Sequence, residues 1–277
     1  MSSKTVFGKK AIILQPITKV KKIEAAARMK LKPIFSDIYD DIINGISAYY
    51  SRAQEAVKRT KEADYSRPDI NKIVDEYAED IEAVLLPAAM RAGKLSSQAV
   101  ASAFGSTFNA TFFKNNITPV LQERIFKIVT TEITPSIEAS LKEKFATAIQ
   151  DGWSLDRLVD NLGELKGNYA TIARTEVLSA SSQAERMQTN SELININAAD
   201  RAVKEWHTSG SGKERDSHIE AGLRYGPGNG IPYTEEFELS SPSGMTEYCA
   251  EPRDASLSAA NFINCQCRMA LVIKPLE

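Results

Sequence analysis

The sequence predicts a mainly α protein with a small α+β domain at its C-terminus. Long helices fill the N-terminal two-thirds, and a short antiparallel sheet with long loops ends the chain. Three observations carry this. Apolar residues recur at steps of three and four through most of residues 34–149. Two short runs near the end, residues 203–208 and 268–273, read as strands. Between them, residues 209–252 hold seven of the 14 glycines and four of the 11 prolines, a density that excludes long regular elements.

The elements follow in order. Ile34, Ile38, Ile42, Ile46, Tyr49, Ala53 and Val57 form one helical face, and Ile70, Ile73, Val74, Tyr77, Ile81, Val84 and Leu85 form a second. Pro33, Pro68, Pro87, Pro119 and Pro135 mark helix starts or kinks, because proline lacks an N–H. A boundary falls at Asp151-Gly152, after which Ser154 is a good N-cap for a short helix. A longer helix, roughly 169–192, presents Ala173, Val177, Ala180, Ala184 and Met187. The chain divides into a basic N-terminal arm (1–32), a helical domain (33–151) and a C-terminal domain (152–277).

Composition bounds the function. The 277 residues carry a net charge of -2, with 43% apolar and 25% charged residues. That excludes wholesale disorder and collagen-like repeats. No apolar run approaches the ~20 residues of a membrane span, and no membrane partner is indicated. No signal peptide is expected. Three cysteines are too few for a disulfide framework and suggest synthesis in a reducing cytoplasm.

Charge is unevenly placed. Residues 1–32 carry nine basic residues against one acid, Glu24, so the remaining chain is acidic. A basic arm suits phosphates or an acidic protein surface. Its candidate contacts are Lys9, Lys10, Lys19, Lys21, Lys22, Arg28, Lys30 and Lys32. The plain alternative is a solvated, frayed terminus.

The Gly-rich segment has little core of its own. His218, Cys249, Cys265 and Cys267 could clip it by holding one metal ion, and zinc is the ion such a set suggests. The competing reading makes the cysteines small buried hydrophobes, with no cofactor. No phosphate-binding glycine loop, nucleophile elbow or His-Glu-x-x-His is present. The run Arg215-Asp216-Ser217-His218 offers at most an incomplete acid–base pair.

The ordered set of residues in the last 110 positions or so resembles a known family. It comprises a helix with Ile172-Ala173-Arg174-Thr175-Glu176, a Trp206 strand, and Arg215-x-x-His218 followed by Gly222. A final Asn264-Cys265-x-Cys267-Arg268 leads into an apolar strand. This looks like the C-terminal domain of phage minor head proteins, the phage Mu protein F-like or head morphogenesis family. The resemblance implies a bacteriophage virion protein inside the head, made in the host cytoplasm. It would act in head assembly beside the portal, major capsid or scaffold proteins, and could contact double-stranded DNA during packaging or ejection. Some relatives carry Cys-x-x-Cys where this chain has Arg215-x-x-His218, and His-Pro-Asn-Cys where it has Phe262-Ile263-Asn264-Cys265. Arg215 and Phe262 cannot ligate a metal, so a fourth ligand would have to be Cys249, an acid such as Asp254, or water. Alternatively, Arg215 and His218 replace a metal clip by hydrogen bonds to loop carbonyls.

Arg174 and Glu176, two positions apart, point to different sides of their helix and cannot pair. One of them is expected to tie the helix to the loop region. The leading expectation is therefore a non-enzymatic capsid protein. The alternatives are a metal-dependent hydrolase or nuclease-like effector delivered with the phage genome, and a host-side DNA-binding regulator. The acidic body and the absence of a basic recognition helix oppose the last of these.

Overall fold

The computed structural model describes residues 12–13, 17–59, 70–151, 153–163 and 168–274. Lys9, Lys10, Pro68, Gly152 and the side chains of Ile46, Tyr49, Ala53 and Val57 lie outside the described set. Strand β1 (Ile12–Ile13) precedes helices α1 (Ile17–Arg59), α2 (Ile70–Glu76) and α3 (Ala78–Ala103). Next come α4 (Ala110–Phe112), α5 (Thr118–Ile128) and α6 (Thr134–Gln150), joined by π-helical turns at Phe113–Ile117 and Val129–Ile133. Helices α7 (Leu155–Leu162) and α8 (Asn168–Asn195) lead into β2 (Ala202–His207), α9 (Asp216–Tyr225), β3 (Ile231–Pro232), β4 (Phe237–Ser240), β5 (Thr246–Cys249), α10 (Ala259–Phe262) and β6 (Arg268–Ile273). The chain is mainly α with a small antiparallel α+β region at its C-terminus.

Residues 17–32 are the start of α1, so the part of the basic segment that is described is helix. Its apolar positions explain why. Val20, Ile23, Ala27, Leu31, Phe35, Ile38 and Ile42 recur at steps of three and four, and all are buried. Pro33 lies inside this helix and Pro87 inside α3, so neither proline begins an element. An interior proline costs about 3 kcal/mol or more. A continuous buried stripe outweighs that loss, at about 1.5–3 kcal/mol for each large side chain.

The chain forms two compact units, each assembled from separated segments. One comprises Ala25–Pro87 and Gln122–Ala173. In it the Ser154 side chain accepts from the Arg157 N–H as the N-cap of α7, and Tyr39 Oη donates to the Val159 carbonyl at 2.5 Å.

The other unit comprises Met1–Glu24, Ala88–Leu121 and Arg174–Glu277. Within it α3 packs on α8 through small residues. A Cβ on Gly93 would stand 3.1 Å from Ala184 Cβ and 2.8 Å from Leu121 Cδ1, so the glycine permits this close approach. Ser96 Oγ and Ser181 Oγ share a buried hydrogen bond of 2.6 Å. The main sheet has the order β1-β6-β2-β3 and is antiparallel throughout. Strands β2 and β6 pair in register from Ala202↔Ile273 to His207↔Arg268. Strand β1 adds to the far edge of β6 through Ile12↔Leu271, so Ile12 and Ile13 belong to the C-terminal sheet. Strands β4 and β5 form a separate hairpin.

The region expected to be loop contains the ten-residue helix α9. Six of the seven glycines there fall outside 216–225, and His218, Ala221 and Tyr225 bury one face at helical spacing. The exception, Gly222, packs tightly, because a Cβ there would lie 2.8 Å from Thr208 Cγ2.

Candidate functional site

Helix α9 brings His218 under β2, where its ring meets the Trp206 indole edge-on with centroids 5.4 Å apart. The helix is anchored at both its start and its buried face. Arg215 donates from its guanidinium to the Ile263 carbonyl at 2.5 Å, and Ser217 Oγ bonds Asn261 Oδ1 at 2.8 Å. Asn261 Nδ2 in turn donates to the Ser240 carbonyl and to Glu247. Thus Arg215 does bind a loop carbonyl, whereas His218 turns toward sulfur.

Cys265 and Cys267 lie on the approach to β6. Nδ1 of His218 is 3.4 Å from Cys267 Sγ and 3.6 Å from Cys265 Sγ. The three donor atoms all lie within 4.8 Å of one another, and none of these residues exceeds 2% exposure. Cys249 belongs to the same buried cluster, with Trp206, Phe237 and Phe262, but its sulfur is outside this group of three. All three cysteines are free thiols.

The electrostatics divide the sulfurs. The hydrogen bond from Cys267, followed by that from His218 and the charge of Arg253, holds Cys265 well below the usual thiol range. Cys267 is pushed up, first by donating to Cys265 and then by burial. Burial pushes up the Cys249 thiol as well.

Sequence reading missed the charged layer behind the thiols. Arg253 is 3% exposed and adopts φ 69°, with its carbonyl accepting from Ser179 Oγ at 2.9 Å and its Nε donating to Ser182 Oγ at 3.0 Å. Burial lowers the Arg253 pKa, while Cys265 and then Glu185 oppose that shift. Glu185 is raised to about 8 by burial, against the pull of Arg253. Glu251 is raised to about 7 by burial, although Arg186 stands 3.4 Å from it. Lys204 is lowered to about 8 by burial and donates to the Ala250 carbonyl at 2.7 Å. No periodicity in the sequence announced this layer. Helix α8 interleaves small residues with Ser, Thr, Gln and Glu, and the structure buries Ser179, Ser181, Ser182 and Glu185 among them.

Arg174 is the member of its pair that reaches the loop. It donates from Nε to Glu24 at 3.2 Å and from Nη1 to Asn264 Oδ1 at 2.9 Å. The Asn264 N–H donates to Thr175 Oγ1 at 3.0 Å. Glu176 is buried on the same helix. Lys19, Lys21, Lys22, Lys30 and Lys32 are exposed on α1, and Arg28 is half-buried.

Among the described residues the grouped donors fall one short of a four-ligand zinc site. Structural zinc takes four donors in a tetrahedron, and among the described residues three group here. Both oxygens of Asp254 are engaged, accepting from Ala250 N and Ser256 N. Arg215 is bonded to Ile263. A metal-bound imidazole usually donates its second N–H to an acceptor, yet Nε2 of His218 is buried without a partner.

No family model matches the chain, and no solved structure matches it. It is similar to an uncharacterized protein of Bacillus subtilis (strain 168), YqbB, with 30% identity over 141 residues. That match covers 48% of this chain, which spans 41% of the length of the relative.

Proposed function

We propose that this protein is a minor head protein of a phage, acting without catalysis in head morphogenesis at or near the portal. One observation supports the reading above others. Eight of the residues that carry the resemblance, Arg174, Thr175, Trp206, Arg215, His218, Asn264, Cys265 and Cys267, are scattered over 94 positions yet meet around one loop. A shared spatial role accounts for their shared order. The buried donor set favours a structural role over hydrolysis, because a substrate has no path to groups at most 2% exposed. The exposed lysines of α1 supply a surface for packaged DNA or for an acidic capsid partner.

Particles purified from a producing host, separated into empty proheads and DNA-filled heads, test the reading. Mass spectrometry is expected to find the chain in both at a few copies each. Its absence from both, with normal head yield after gene deletion, overturns the proposal.

A further inference from the structure

We propose that this chain binds a second copy of itself, the lysine-bearing face of α1 on one copy seating in a groove between α9 and β4 on the next. This goes beyond the head reading and does not rest on it. The groove encloses about 360 Å³, at the small end of ligand pockets. Its base is the buried Ala221 and Leu239, and its rim is Glu220, Leu223, Arg224 and Glu238. Leu223 is 76% exposed. Ile219, one turn before it on α9, is 44% exposed, and Tyr248, paired across from Glu238 on the hairpin, is 55% exposed. A cluster of open apolar side chains rimmed by charge is the mark of a protein contact surface.

The rim is acidic. Asp216 and Glu220 are exposed one turn apart on α9, and Glu235 and Glu236 are exposed just before β4. Against them stands Arg224, which bonds Glu238 Oε1 at 3.2 Å. The outer face of α1 is the complement. Met29 is 70% exposed, and its neighbours on the helix surface include Ala25, Ala26 and Pro33. These are small, so the thioether stands clear of the helix. Lys22, Lys30 and Lys32 are exposed around it. Methionine adapts to irregular apolar gaps, and ammonium groups meet carboxylates at the rim. The same chain supplies both halves, so a second copy always carries the matching surface. The two faces are different, which makes the contact heterologous. It repeats from copy to copy into a ring or a filament.

Sedimentation velocity of the full chain over a range of concentration and salt tests the contact. The expected result is reversible self-association that weakens as salt rises. Glu220→Lys with Glu238→Lys is expected to abolish it, and so is Lys22→Glu with Lys30→Glu, with circular dichroism confirming that both double variants fold. Mixing the two charge-reversed chains should restore association, because each then meets a complementary face. Carbodiimide cross-linking of isotope-labelled with unlabelled wild-type chain needs no variant. It is expected to join Lys22, Lys30 or Lys32 to Glu220 or Glu238 between copies. A wild-type chain that stays monomeric at every concentration, including one whose α1 lysines bind a DNA duplex instead, overturns the proposal. So does self-association that both reversed pairs leave intact, or a mixture of the folded variants that remains monomeric.

Discussion

The guanidinium of Arg174 donates to the side-chain oxygen of Asn264 at 2.9 Å, joining a helix to a loop 90 positions later. Asn264 sits at φ 62°, a left-handed conformation that asparagine tolerates and β-branched residues do not. The bond therefore holds a residue whose backbone already bends the chain toward Cys265. Helix α8 and the thiol loop are stitched together at this point.

Removing either half of that relationship should loosen the loop. Arg174→Ala is expected to lose about 1–3 kcal/mol, since it strands the mostly buried Glu24, whereas the exposed Asn264 turns to water. Asn264→Val should lose more than Asn264→Gly, because valine adds backbone strain to the lost acceptor. Urea unfolding of the three variants ranks them, and equal losses for valine and glycine would contradict the account.

Stability should fall as pH rises from about 4.5 to about 8. Glu185 and Glu251, raised to about 8 and about 7, hold protons in the folded state that the unfolded chain releases above about 4.5. The folded state thus binds more protons across that window, and each unit of rising pH costs stability, on the order of several kcal/mol in all. Lys204, lowered to about 8, acts with the opposite sign and only above its own pKa. Glu185→Gln should flatten the slope between pH 5 and 8. An unchanged slope in thermal melts of that variant would show that the proton resides elsewhere.

Gly226→Ala should be strongly destabilising. A Cβ there would come within 2.1 Å of the Gly222 carbonyl oxygen, which is backbone and has no easy escape. The loss is expected to be about 2 kcal/mol or more. Gly228→Ala, where nothing stands within 4 Å but φ is 87°, tests backbone strain without collision. Near-UV circular dichroism of Trp206, whose ring touches His218 on α9, reports the loosening of that helix.

The basic face of α1 is best probed by substitution. Deleting residues 1–32 would also remove the buried Val20, Ile23, Ala27 and Leu31. The triple variant Lys19→Glu, Lys21→Glu and Lys22→Glu keeps that stripe. If these lysines neutralise phosphates, the slope of log K against log salt should shrink by about 0.9 per lysine. Fluorescence anisotropy with a DNA duplex measures it, and identical slopes would remove DNA from the list of partners.

Local pattern was enough for most of the helices and for the two central strands. Ile38 and Ile42 lie on the buried face that the spacing from residue 34 onward predicts, and residues 268–273 are apolar enough to form a buried strand. By contrast, the stripe of Val20, Ile23, Ala27 and Leu31 was masked by the lysines between them, which made residues 1–32 read as a solvated arm. Ser154 signals its own helix because its side chain closes on an N–H three residues away. The helix α9 was hidden by the glycines and prolines on either side of it, although Ala221 and Tyr225 carried the right spacing.

What the sequence by itself determined is thus which residues turn inward and with what period, since that depends on neighbours three or four positions away. Only the tertiary structure decided what those residues meet. It carried Ile12 to the edge of β6, separated Cys249 from the pair beside His218, and brought Arg253 within the electrostatic reach of both the thiols and Glu185. These are encounters across tens to hundreds of residues. Periodicity holds no record of them, because Coulomb energy and coordination depend on distance through space rather than along the chain.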